Sequence, residues 1–264
     1  MTTADRVARF AALGLLAVSA AAPFVLLAIW SVGRDWFYPA VFPPRFTAQS
    51  WRDLLSGERL LGATTTSLVL GAGTGAFACI AGLPVGRSLA RLRGWRRHVG
   101  AALAFLPVAA PPIALATGLQ FSFLRLGLGG TLAGVLLAHA VPAIGYGSLY
   151  FLGVFAVFDS RIEEESRSLG ATPRQTFFHV VVPLIRRPLA DAFGLGFLVS
   201  WSQVPLTLLV GGGPVRTLPI EVFALVQSGQ DRLAATGALL LLAPAIAALA
   251  ATRLAASRTE VMAV

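Results

Sequence analysis

Long apolar runs separated by short clusters of charge set the pattern of this chain. Six stretches contain no Asp, Glu or Arg: those between Arg9 and Arg34, Arg59 and Arg87, Arg97 and Arg125, Arg125 and Asp159, Asp191 and Arg216, and Arg232 and Arg253. A bilayer core about 30 Å thick is crossed by roughly 20 helical residues. Backbone in lipid must satisfy its own hydrogen bonds, so runs of this length predict helices despite their Gly and Pro. The expected fold class is all-α integral membrane, with six transmembrane helices at about 10–32, 61–86, 99–123, 128–157, 192–211 and 233–252 in one domain covering 1–264. Ala20-Ala21-Ala22 resembles a signal-peptide cleavage site, but the apolar run continues to Val32 and favours an uncleaved first helix.

The longest polar segment, 159–188, falls between the fourth and fifth runs. Ser160 with Glu163 predicts a capping box, and Glu163, Glu164 and Glu165 place negative charge at the positive end of a first short helix. Gly170 is placed to end it. Thr172 with Gln175 predicts a second capping box around Pro173, and Pro183 interrupts the helix that follows. The result is a helical hairpin able to offer a compact knob to a partner.

The mean hydropathy of +0.76, with 56% hydrophobic and 12% charged residues, is too apolar for an ordinary soluble domain. The net charge of +9 changes the picture less than its size suggests. If the N-terminus is cytoplasmic, fourteen of the 21 arginines fall inside: Arg6, Arg9, Arg87 to Arg97, Arg161 to Arg187, Arg253 and Arg258. The seven from Arg34 to Arg59, at Arg125, and at Arg216 and Arg232 fall outside. Charge is thus a topology signal that places both termini in the cytoplasm and calls for no nucleic acid. There is no lysine, hence no P-loop lysine, and the chain cannot hydrolyse ATP by that route. Cys79 stands alone, and His98, His139 and His179 are scattered, so neither a metal site nor a catalytic cluster is expected. Gly71 and Gly75, Gly82 and Gly86, and Gly130 and Gly134 are spaced for close helix approach.

The run Glu164-Glu165-Ser166, Gly170, then Val180-Val181-Val182-Pro183 resembles the EAA motif of binding-protein-dependent ABC importer permeases, Glu-Ala-Ala, Gly, then Ile-x-Leu-Pro. Ser168-Leu169-Gly170-Ala171-Thr172-Pro173 is similar to the same family, with its polyamine, thiamine and ferric-iron branches the nearest in character. The resemblance implies that the hairpin is a cytoplasmic coupling helix, with Glu164, Ser166, Leu169, Gly170, Ala171 and Pro183 forming or supporting the contact with an ATPase. It implies a bacterial inner-membrane, multi-pass protein working with two ATP-binding-cassette ATPase subunits, a second permease (the same chain or a different one) and an extracytoplasmic solute-binding protein. No cofactor is expected in this chain, since ATP and Mg would sit on the partner ATPase. Polyamines or other small organic cations lead the expected cargoes, ahead of thiamine-like compounds, ferric iron and phosphonates.

Candidate solute-path residues are Ser200, Gln203 and Thr207, expected on one face of the fifth helix, with His139 and Tyr146 on the fourth. The same polar side chains could instead hydrogen-bond helix to helix. Pro111-Pro112 should bend the third helix, and Pro205 lies where the fifth could loosen. An ion-coupled secondary transporter is the alternative reading, and it predicts acidic residues within the spans, which the sequence lacks.

Overall fold

The computed structural model describes residues 3–37 and 39–261, with the side chains of 3, 4, 7, 8 and 248–261 outside that description. Arg253 and Arg258, which entered the topology count, are therefore outside it. The fold is helical apart from a two-residue antiparallel ribbon, β1 (Gly33–Arg34) with β2 (Arg45–Phe46). Helices follow in the order α1 (Thr3–Val32), α2 (Gln49–Ser56), α3 (Glu58–Ile80), α4 (Gly82–Arg91), α5 (Trp95–Ala109), α6 (Pro112–Arg125) and α7 (Leu132–Ala156). Next come α8 (Arg161–Ser168), α9 (Pro173–Gln175), a π-helix (Thr176–Val181), α10 (Val182–Leu184), α11 (Arg186–Trp201), α12 (Pro205–Gly211), α13 (Leu218–Gln227) and α14 (Asp231–Val261).

Among the described residues three helical stretches are long and apolar enough to cross a membrane: Arg9–Val32, Glu58–Arg91 and Leu132–Ala156. Two bent pairs raise this to five if each is one span. α5 and α6 meet at 92°, where Pro111 and Pro112 remove backbone donors, and α11 and α12 meet at 63° in front of Pro205. The last expected span falls within α14. The second run extends further than expected, continuing through a break at Ala81 to Arg91.

Two compact units divide the chain: Met1–Ala63 with Leu218–Val264, and Thr64–Thr217. In the first, the large side chains of α1 from Phe10 to Leu26 are broadly exposed, as lipid-facing residues would be. Arg59 Nε lies 2.7 Å from Glu221 Oε2, and Glu221 is buried in α13. This buried carboxylate is paired and lies outside the expected spans.

The second unit packs α7 against α4, α5 and α11. One apolar cluster joins Leu70, Ala116, Val135, Ala138, Leu206 and Val210, and another joins Leu83, Phe151, Val181, Ile185 and Ala192. Small residues permit this closeness. A Cβ on Gly82 would lie 2.9 Å from the Gly147 carbonyl carbon, and one on Gly75 2.7 Å from the Phe193 oxygen. The third glycine pair makes its approach differently: Gly130, at φ +71 in the turn before α7, gives its N–H to the Val210 carbonyl of α12 at 2.8 Å.

Candidate functional site

The hairpin 159–184 is built largely from backbone hydrogen bonds at its turn. Gly170 has φ +90, which favours a residue without Cβ, and its N–H reaches the Arg167 carbonyl at 3.0 Å. The Ala171 N–H reaches the Ser166 carbonyl at 3.2 Å, completing a Schellman ending for α8. The second arm starts with the expected capping box: Thr172 Oγ1 accepts from the Gln175 N–H at 3.3 Å, and Gln175 Oε1 accepts from the Thr172 N–H at 2.8 Å. Ser166 Oγ and Thr176 Oγ1, 3.3 Å apart, tie the two arms together.

Leu169 protrudes from this turn with 89% of its surface exposed, and Glu164, Gly170 and Pro183 are exposed as well. Ser166 and Ala171 are half-buried. Pro183 has no N–H to give to the His179 carbonyl, and the turn before it widens into the π-helix. The expected first capping box does not form. Ser160 makes no side-chain cap, and Asp159 Oδ1 instead accepts from the Arg161 N–H at 3.0 Å.

Glu163 is diverted to a contact that the sequence does not announce. Its Oε2 lies 2.6 Å from Arg87 Nη2 and 3.5 Å from Arg91 Nη2, and Glu163 is buried. The Arg87 guanidinium also lies 5.6 Å from the centroids of both Phe155 and Phe177. A cavity of about 710 Å³ opens between α4 and the hairpin, lined by Leu83, Arg87, Arg91, Glu163, Phe177 and Phe178 among others.

The five candidate path residues separate into two groups. His139 is fully buried, with Nδ1 2.8 Å from Ser200 Oγ and Nε2 3.0 Å from Thr207 Oγ1. Thr207 gives its hydroxyl proton to the Gln203 carbonyl at 3.0 Å, so it accepts from His139, and Nδ1 is then left to accept from Ser200. These bonds bridge α7 to both halves of the broken helix. Gln203 and Tyr146 instead line a separate cavity of about 250 Å³ with Pro107, Pro142 and Ser202. The expectation that Ser200, Gln203 and Thr207 share one face therefore fails, because the helix breaks at Ser202 and restarts at Pro205, turning Gln203 away.

Among the described residues no cluster of three His, Cys, Asp or Glu could hold a metal ion. Arg87 and Glu163 are the site residues that sequence reasoning misses. Their local signal marks only a span boundary and a cap, and they are 76 positions apart.

Residues 82–261 match the family described as "Binding-protein-dependent transport system inner membrane component". The spermidine/putrescine transport system permease protein PotC of Haemophilus influenzae is 24% identical over 207 residues, 78% of this chain and 80% of PotC. The putative 2-aminoethylphosphonate transport system permease protein PhnV of Salmonella typhimurium is 27% identical over 210 residues, 78% of each chain. A crystal structure of a bacterial ABC transporter that imports the acidic polysaccharide alginate shares the fold, with a TM-score of 0.69 at 16% identity, covering 96% of this chain and 98% of that one. The match covers the bent helices, the hairpin and all of α14, and the relatives are permease subunits that catalyse no reaction themselves. The chain therefore belongs to the family of inner membrane components of binding-protein-dependent transport systems, as an integral membrane, non-enzymatic permease subunit.

Proposed function

We propose that this chain forms one half of the translocation path of an ATP-driven importer and receives the drive for transport through the hairpin 159–184. The observation that carries this reading is Leu169, a large apolar side chain exposed at the tip of a turn whose backbone is held in one conformation. An exposed apolar residue on a preorganised knob is what a groove in another protein would bury. Two ATP-binding-cassette ATPase subunits, carrying ATP and Mg, are the intended occupants. A second permease completes the pore, and an extracytoplasmic binding protein delivers the solute.

The excess of arginine around 87–97 and 161–187 supports a cytoplasmic hairpin and cytoplasmic termini. Six spans follow if each bent pair crosses once and α14 crosses as well. Gln203 and Tyr146 face the path in this reading, whereas His139, Ser200 and Thr207 hold its walls together. Small solutes bearing a protonated amine are the favoured cargo, since the solutes in the names of PotC and PhnV, spermidine, putrescine and 2-aminoethylphosphonate, all carry a primary amine.

Leu169→Asp tests the docking reading. The variant should insert normally and no longer copurify with the ATPase, while Leu126→Asp, at an exposed residue after α6, should keep it. An ATPase retained equally by both variants would refute it.

A further inference from the structure

We infer that Arg87 is a positioning residue for coupling: it ties α4 to the hairpin, so that displacement of the hairpin moves the helix running back through 58–91. The inference rests on the coupling reading above and adds the part that carries the movement onward.

Four elements meet at this one side chain. Arg87 stands on α4, its carboxylate partner Glu163 is on α8, and the two rings at 5.6 Å come from the end of α7 and from the π-helix. The arginine side chain is 18% exposed and that of Glu163 8% exposed, so the pair is shielded from the screening that weakens surface ion pairs. Arg91 also approaches Glu163, but at 3.5 Å and with 65% of its side chain exposed, and it is the weaker tether. Arg87 Nε is buried without a hydrogen-bond partner, an arrangement that helix anchoring at the membrane surface does not require. An arginine serving only as a topology signal would extend into water.

Two packed elements joined by a desolvated charge pair move together or break the pair, and breaking it leaves an uncompensated buried charge. The hairpin has few other polar links to α4. Its arms are joined to each other by Ser166 and Thr176, and the large cavity lies between it and α4. Arg87 thus bridges a region where apolar packing is incomplete.

The test uses the complex copurified with its ATPase and follows amide hydrogen exchange in 82–91 and in 161–184, with and without ATP plus vanadate to hold the ATPase closed. In the wild type both segments should change. With Arg87→Gln the hairpin should still respond, while the response of 82–91 falls by about tenfold, within the usual range of coupling between two sites. Arg87→Lys, which keeps the charge, should restore part of it. A merely structural role would instead raise exchange in both segments without nucleotide and leave their responses in proportion. An undiminished response of 82–91 in Arg87→Gln would overturn the inference. A wild-type hairpin that ignores nucleotide would refute the coupling reading itself. If Arg87→Gln does not retain the ATPase, Glu163→Gln removes the same pair from the other side and is judged by the same outcomes.

Discussion

On α4 a guanidinium meets a carboxylate at 2.6 Å, whereas at the break between α11 and α12 a histidine meets two hydroxyls at 2.8 and 3.0 Å. Both contacts join distant segments, separated by 76 positions in the first and by 61 and 68 in the second. The ion pair borders an open cavity, and its second arginine reaches solvent. The histidine cluster is closed on every side. Charge is tolerated in the first place because each buried ion has its counterion within hydrogen-bond distance, and neutral hydrogen bonds serve in the second because an ion there would lose its hydration without replacement. The two sites also stand differently to motion. An ion pair on a hairpin can be shifted as a unit, while the histidine locks α7 to two half-helices that would otherwise be free to bend at 202–204.

Placing charge in the neutral site should do the most damage. His139→Asp puts a carboxylate among apolar helices, at a penalty of several kcal/mol, and the yield of folded, monodisperse protein in detergent should collapse. Smaller but still clear, Glu163→Ala should leave Arg87 half-desolvated and cost about 3 kcal/mol, read as a lower midpoint of thermal unfolding. Replacing both partners, Arg87→Met with Glu163→Leu, should recover most of that stability. Thr207→Val keeps the shape of its side chain and removes one acceptor from His139, so it should cost only about 0.6 to 1.7 kcal/mol by the same measurement. Gln203→Ala, at a cavity wall, should leave stability nearly unchanged and, under the proposed function, alter uptake of an amine solute by the assembled transporter in proteoliposomes. A large stability loss with Gln203→Ala would place it among the packing residues instead.

Sequence pattern carries the apolar runs, the bend at Pro111-Pro112 and the second capping box, because each depends on residues within a few positions of one another. The hairpin turn at Gly170 is legible for the same reason. What escapes is long-range pairing. Glu163 looks like the third residue of a capping box until Arg87, far away in sequence, competes for it and prevails through charge. The 200/203/207 spacing implies one face only while the helix is continuous, and Pro205, which begins α12, marks where that continuity ends. Gly130, spaced like a helix-packing glycine, makes its close approach to α12 from a turn, with φ +71 and its N–H on the Val210 carbonyl.

Whether the turn at Leu169 is the place where the permease meets the proposed ATPase is decided by site-specific photo-cross-linking. A photoreactive benzoylphenylalanine in place of Leu169, with a second variant at Leu126 as control, is irradiated in membranes containing the assembled transporter. Position 169 should give a covalent adduct with the ATPase subunit, and position 126 none. An adduct of position 169 with the extracytoplasmic binding protein, or an ATPase captured only from position 126, would contradict it.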